Sequence, residues 1–129
     1  MHRSKLAANL ASIAVVALFY SLKTLAQSPS EEPPNSVESI AAGGKIFKQF
    51  CSGCHGANAQ GGHAGEGMGK VAPNLTDEVW LYGGTNGEIF KTIKMGAPPD
   101  YTMVPWDGII TDADIWNVVH YIKSLAVKK

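Results

Sequence analysis

The sequence of 129 residues contains only two cysteines, so no network of disulfides can staple it. It has no internal repeat, and no run of alternating apolar and polar residues marks a sheet. It also lacks a basic excess. Lys and Arg number 11 against 11 Asp and Glu, and without Arg3, Lys5 and Lys23 of the N-terminal segment the balance is 8 basic to 11 acidic. Nucleic-acid binding requires a basic footprint, so that class is excluded.

The N-terminal segment reads as an address. Arg3 and Lys5 precede a mostly apolar run over residues 6–20, and Thr24-Leu25-Ala26 offers small residues where a signal peptidase cuts. The run is short for a bilayer span, so residues 1–26 fit a secretory signal peptide. The rival reading is an uncleaved membrane anchor, which Lys23 helps by ending the apolar stretch close to the cut. Either reading puts the remainder outside the cytoplasm, periplasmic or otherwise exported, with a membrane involved only if the segment is retained. Residues 27–36, beginning "QSPSEEPPN", are too polar and Pro-rich to fold alone and form a flexible leader. Residues 37–129 are expected to be one all-α domain.

Four helical stretches are expected in that domain. The first covers residues 37–50 with Ser36 as N-cap, placing Ile40, Gly43 and Phe47 on one face and Ile46 and Phe50 beside it. The second is a short one over residues 77–82, ending at Gly83-Gly84. The third is "TNGEIFKTIKMG", where Thr85 and Glu88 have capping-box spacing and Gly96 supplies a stop. The fourth is "TDADIWNVVHYIKSLAVKK", capped by Thr111, with Ile115, Val118 or Val119, Ile122 and Leu125 as its apolar stripe. Asp112 and Asp114 suit its positive end, and Lys123, Lys128 and Lys129 its negative end.

Four helices joined by Gly- and Pro-rich loops give a thin core, and a domain of this kind needs a staple. "CSGCH" at residues 51–55 points to one. Two thiols three residues apart can reach two vinyl groups on one edge of a macrocycle, and the imidazole that follows can meet its iron; Cys-x-x-Cys-His is the c-type haem attachment signature. A redox disulfide would leave His55 idle and would want a βαβ setting. A zinc site would need a second Cys/His pair at the usual distance, and none follows.

The chain from about residue 40 to 126 resembles the class I c-type cytochromes. Gly43 and Phe47 lie eight and four residues before Cys51, as in the family's first helix, and Val118 and Tyr121 match the last-helix face that packs across them. The resemblance implies a cytochrome c-like fold: four short helices around one covalent haem c. It also implies that the Pro73 carbonyl, in "APNL", accepts the Nδ1 proton of His55, fixing the ring. "APNLTDEVWLYGG" is similar, less specifically, to haem domains of bacterial haem–copper oxidase subunits and to periplasmic cytochromes serving quinoprotein dehydrogenases. For the sixth iron position the candidates are Met68, Met95 and Met103. A thioether there closes the site and raises the potential. Met103, in the loop "YTMVPW", occupies the family's ligand position, although Val104 stands where the family commonly has a proline, which leaves Met95 as a competitor.

The implied function is one-electron transfer by a monomeric, exported monohaem cytochrome between a redox donor and acceptor, a dehydrogenase or an oxidase, with no catalytic residues of its own. The alternative is a cytochrome subunit of such a complex. A weaker one is a haem enzyme or sensor with an open sixth site. The cofactor-binding set is Cys51, Cys54, His55, Pro73 and Met103, with His55 and Met103 on the metal. His63 is read as a solvated loop residue and His120 as a surface or boundary residue. Trp80, Trp106 and Trp116 are core packing rather than electron relays; Trp80 and Tyr82 are also possible donors to a haem propionate. Lys45, Lys48, Lys70, Lys91 and Lys94 form a docking ring only if they converge. Acid–acetone extraction is expected to leave one haem bound per polypeptide; freely extracted haem, or stoichiometric zinc, would contradict this reading.

Overall fold

The computed structural model describes residues 31–62 and 72–126. The address segment, residues 27–30 of the leader, and His63, Met68, Lys70, Lys128 and Lys129 lie outside the described residues. Four helices occur among those described: α1 (Val37–Phe50), α2 (Ser52–His55), α3 (Asn86–Met95) and α4 (Asp112–Leu125). No described residue is in a strand, in keeping with the all-α expectation. No helix among them is long and apolar enough to cross a membrane.

The helix ends follow the local chemistry. Ser36 caps α1 through a capping box with Ser39, and Thr85 caps α3 through one with Glu88. Each box satisfies backbone N–H groups that the first turn leaves orphaned. Thr111 caps α4 by accepting from the Asp114 N–H. Gly96 ends α3 at φ 78°, a conformation that costs glycine little.

The helix expected over residues 77–82 does not form. Asn74 Oδ1 accepts from the Thr76 N–H at 2.8 Å, and Asp77 Oδ1 accepts from the Val79 N–H at 2.9 Å. These side chains bond backbone groups two residues on, which favours turns over a helix. The residues then alternate: Trp80 packs on the core, whereas Val79 and Leu81 are 68% and 69% exposed. The fourth helix of the fold is instead α2, a single turn built from the cysteine motif itself.

The core lies where α1 and α3 meet α4. Phe47, Ile115, Val118 and Val119 are fully buried, joined by Ile89, Phe90, Ile93, Ile110, Trp116 and Ile122. The α1–α4 crossing is set by Gly43. A Cβ there would lie 1.9 Å from the Asn117 carbonyl oxygen and 2.9 Å from Tyr121 Cβ, so the two backbones touch at this point. One turn on, the Phe47 and Tyr121 rings meet with centroids 5.4 Å apart. Gly43, Phe47, Val118 and Tyr121 therefore form the crossing that the resemblance implied.

His120 is not a boundary residue. It is 0% exposed, with Nδ1 2.9 Å from Ser39 Oγ on α1. Its Nε2 makes no hydrogen bond and lies 3.5 Å from Glu32 Oε1. The polar tip of an otherwise apolar helix face is tolerated because α1 brings a hydroxyl to it. The tryptophans are packing residues, as expected. Trp116 stacks on Phe90 at 4.3 Å and Trp106 meets Phe50 edge-on at 5.6 Å.

Gly43→Ala is expected to destabilise the holoprotein by at least ~1–3 kcal/mol, the range for overpacking against groups that cannot rotate away. Gly53→Ala, where an added Cβ meets nothing within 4 Å, should be close to neutral. Paired thermal melts check this contrast.

Candidate haem site

Cys51 ends α1, its N–H donating to the Phe47 carbonyl at 2.8 Å. Its own carbonyl accepts from the His55 N–H at 2.9 Å and the Cys54 N–H at 3.2 Å. Ser52 Oγ donates to the Lys48 carbonyl at 2.7 Å, tying the turn back to α1. These bonds wind Cys51, Cys54 and His55 into one compact turn, which Gly56 closes at φ 82°. Both cysteines are free thiols, half-buried.

His55 is buried, and Nδ1 lies 3.2 Å from the Pro73 carbonyl oxygen. A carbonyl can only accept, so Nδ1 carries the proton and Nε2 keeps its lone pair. Burial lowers the pKa of His55, opposed by the bond to Pro73. Both features favour a neutral imidazole whose Nε2 is ready to ligate a metal.

Two short stretches deliver Pro73. The Gly61 N–H donates to the His55 carbonyl at 2.7 Å, the Gly62 N–H to the Ala72 carbonyl at 3.1 Å, and the Leu75 N–H to the Ala59 carbonyl at 2.8 Å. Gly61 has φ 72°, and a Cβ there would sit 2.4 Å from the Ala72 carbonyl oxygen. Only glycine fits, because both the backbone angle and the close approach exclude a side chain. The need for glycine at residue 61 was not read from the sequence; the Gly-Gly pair just after the motif was its one visible signal.

Met103 and Met95 part company. Met103 is partly buried and packs against the core cluster that Cys51 and Phe50 also border, whereas Met95, at the end of α3, is 54% exposed. The loop carrying Met103 is fastened to α3. Its carbonyl accepts from the Ala97 N–H at 3.0 Å, and the N–H groups of Trp106 and Asp107 donate to the carbonyls of Ile93 and Lys94, each at 3.1 Å. Those carbonyls are among the ones a helix C-terminus leaves unpaired. A proline at residue 104 is therefore not needed to hold the loop.

Other candidates find different employment. Tyr82 Oη donates to the Pro98 carbonyl at 3.0 Å, which makes it a strut between loops rather than a propionate donor. Lys123 Nζ lies 5.7 Å from the Trp80 ring centroid and donates to the Gly84 carbonyl at 3.0 Å. Lys94 belongs to no docking ring, since its Nζ donates to both carboxylate oxygens of Asp112, at 2.7 and 2.9 Å.

The rival chemistries fit less well. Burial, with a smaller contribution from Cys54, pushes the Cys51 thiol up to about 11, the opposite of what a redox-active dithiol needs. Among the described residues no three His, Cys, Asp or Glu side chains gather around a point where a metal could sit. The donor set of two thiols, an oriented imidazole and an inward thioether fits a haem.

The family model for cytochrome c matches residues 40–126. The chain belongs to the cytochrome c family. It is 37% identical over 97 residues to a cbb3-type cytochrome c oxidase subunit CcoP of Azospirillum sp. (strain B510), covering 67% of this chain and 30% of that protein. It is 37% identical over 99 residues to a FixP subunit of the same oxidase type from Bradyrhizobium sp. (strain ORS 278), covering 77% of this chain and 32% of that one. The chain thus spans about a third of the length of these curated relatives. Among solved structures, cytochrome CL of the methylotroph Methylophaga aminisulfidivorans matches with a TM-score of 0.57 and 27% identity, over 85% of this chain and 65% of that one. A reducing HAO-like complex of Kuenenia stuttgartiensis matches in fold, with a TM-score of 0.65 at 21% identity, over 89% of this chain and 58% of that one. As a cytochrome c, the chain carries one covalent haem c.

Gly61→Ala is expected to push the residue 72–73 backbone away and loosen the Pro73–His55 bond. The holoprotein should then show a shifted reduction potential and a broadened His55 Nδ1–H resonance, with a stability loss of about 1–3 kcal/mol. Unchanged potential and spectrum would refute the positioning role of Gly61.

Proposed function

We propose that this cytochrome is the electron-transfer component of a redox enzyme complex outside the cytoplasm, passing single electrons between a donor and an acceptor rather than catalysing a reaction of its own. Cys51 and Cys54 would form the thioether links to the haem, and His55 Nε2 and Met103 Sδ would hold its iron. The observation that carries this reading is the pairing of an imidazole locked by Pro73 with an inward methionine on a loop tied to α3.

Haem c supplies a reversible one-electron couple, and a thioether ligand raises its potential. The chain's own part is to hold the ligands still in a pocket of low polarity, so that little rearranges when the charge changes. His55 keeps one tautomer in both states because its proton is committed to Pro73. Phe47, Ile93, Trp106 and the buried face of α4 exclude water around the core.

Membership of a complex is favoured over a freely diffusing carrier by the likeness to CcoP and FixP oxidase subunits. The N-terminal apolar run suits either export or a membrane tether. A free carrier is the second reading, and a cleaved N-terminal segment would support it.

Met103→Ala should abolish the weak near-infrared sulfur-to-iron band of the oxidised protein. It should also lower the potential by an appreciable part of the ~0.8 V range that axial ligation spans, and admit carbon monoxide. Met95→Ala should do none of these. Reversed effects would reassign the ligand; rapid carbon monoxide binding by the wild type would instead favour an open-site enzyme or sensor.

A further inference from the structure

Met103 hangs on a loop that leaves α3 at Gly96 and returns at Trp106. Two backbone bonds close its neck, from the N–H groups of Trp106 and Asp107 to the carbonyls of Ile93 and Lys94. Inside the loop the Met103 carbonyl takes the Ala97 N–H, and a Cβ on Gly96 would lie 2.8 Å from that carbonyl oxygen. These contacts join the loop to α3 and to itself. They do not by themselves hold Met103 in register with His55, whose turn is placed by the crossing of α1 and α4.

The Lys94 side chain supplies that link. Its ammonium reaches past the neck to Asp112, the first residue of α4, and donates to both carboxylate oxygens at 2.7 and 2.9 Å. The same Nζ lies 3.6 Å from Oδ1 of Asp107, on the returning side of the neck. Between the two aspartates the chain makes a turn, in which the N–H groups of Ile109 and Ile110 donate to the Trp106 carbonyl. One ammonium therefore gathers the end of α3, the return of the Met103 loop and the start of α4. That last element is well anchored, since Ile115 and Val119 are fully buried and its backbone touches α1 at Gly43. An exposed Lys–Asp pair contributes little, because water screens it and two long side chains must be ordered. Here the Lys94 and Asp112 side chains are only 27% and 17% exposed. The Nζ also lies 5.9 Å from the ring centroid of Phe90, one turn earlier on α3, and Phe90 stacks on Trp116 of α4. A bond shared by both oxygens of a half-buried carboxylate is stronger than a neutral one and fixes direction as well.

We propose that Lys94 is a positioning residue for the sixth iron position: its ammonium, shared by Asp107 and Asp112, clips the return of the Met103 loop to α4 and so keeps the thioether on the iron. The proposal rests on the reading of Met103 as a ligand and adds to it the group that keeps that site closed. Without the clip the loop remains tied to α3 through its neck but is free to swing relative to α4, and with it relative to His55. Local opening of this kind exchanges the ligand without unfolding the core.

The test uses the full-chain holoprotein. The reduced protein is mixed with saturating carbon monoxide by stopped flow, so that the observed rate reports how often Met103 leaves the iron. Lys94→Gln removes the charge and keeps most of the stem. It should speed carbon monoxide binding roughly tenfold, as the loss of one charge-assisted hydrogen bond implies. In the oxidised protein the near-infrared band should then disappear at clearly lower denaturant than the helical signal, whereas the wild type loses the two close together. Lys94→Arg, whose fork also spans both Asp112 oxygens, should stay within about twofold of wild type. Lys91→Gln, the same charge change on an exposed residue of α3, should also stay within about twofold. A Lys94→Gln protein in which band and helix fall together, with the carbon monoxide rate unmoved, overturns the proposal, because Lys94 would then serve general stability alone. Equal acceleration by Lys91→Gln does so too, as does a Lys94→Arg protein that behaves like Lys94→Gln. If Lys94→Gln does not fold, Asp107→Asn decides, since it removes the loop-side charge and leaves the Asp112 pair intact. It should speed binding about threefold, the upper range for a more exposed arm, and an unchanged rate overturns the proposal. A wild type that lacks the near-infrared band sinks the ligation by Met103 itself. A band that Met103→Ala abolishes, with a carbon monoxide rate that ignores Lys94→Gln, sinks only the clip.

Discussion

The contact on which the rest of the structure depends is the backbone-to-backbone crossing of α1 and α4 at Gly43. Because no side chain separates the helices there, Phe47 drops fully into the core and meets Tyr121. Four residues later α1 reaches Cys51, whose carbonyl organises the turn of α2. The crossing thus fixes where the cysteine motif starts, and α2 fixes which way His55 faces. A wider crossing would move all three attachment residues together.

The core itself is small. A dozen buried apolar side chains, contributed mainly by α3 and α4 with Phe47 from α1, face long loops rich in glycine. Burial on this scale leaves little margin over chain entropy in a domain of this size. A covalent haem adds both apolar area and a cross-link, so the cofactor is part of the fold as well as the seat of the chemistry. The loops on either side then have separate tasks: residues 59–62 and 72–75 align Pro73 on His55, and residues 96–107 hang Met103 from the end of α3.

Buried polar groups show where the packing is less than complete. His120 is satisfied at Nδ1 by Ser39 but not at Nε2, and the Trp116 indole N–H is buried without an acceptor. Neither lies on an element that carries a haem-ligand candidate. Both sit on α4, a helix buried over more of its circumference than its apolar stripe alone implied, since α1 and α3 cover adjacent sides of it.

Much of this was legible in the residues themselves. Capping chemistry is local, so Ser36, Thr85 and Thr111 marked the three long helices at their starts. The cysteine motif carries its chemistry in its spacing, and Gly43 with Phe47, Val118 and Tyr121 marked the crossing through family likeness. Three things were decided only by tertiary structure. The segment after Pro73 reads as a short helix by composition, yet Asn74 and Asp77 divert its backbone N–H groups into turns while Trp80 is drawn to the core. His120 reads as a boundary residue on its own helix, and its burial depends on a hydroxyl 81 positions away in sequence. Met95 and Met103 are alike as sulfur donors in sequence. They differ because α3 ends with one side chain facing outward, and hydrogen bonds to its last carbonyls bring the other back over the core.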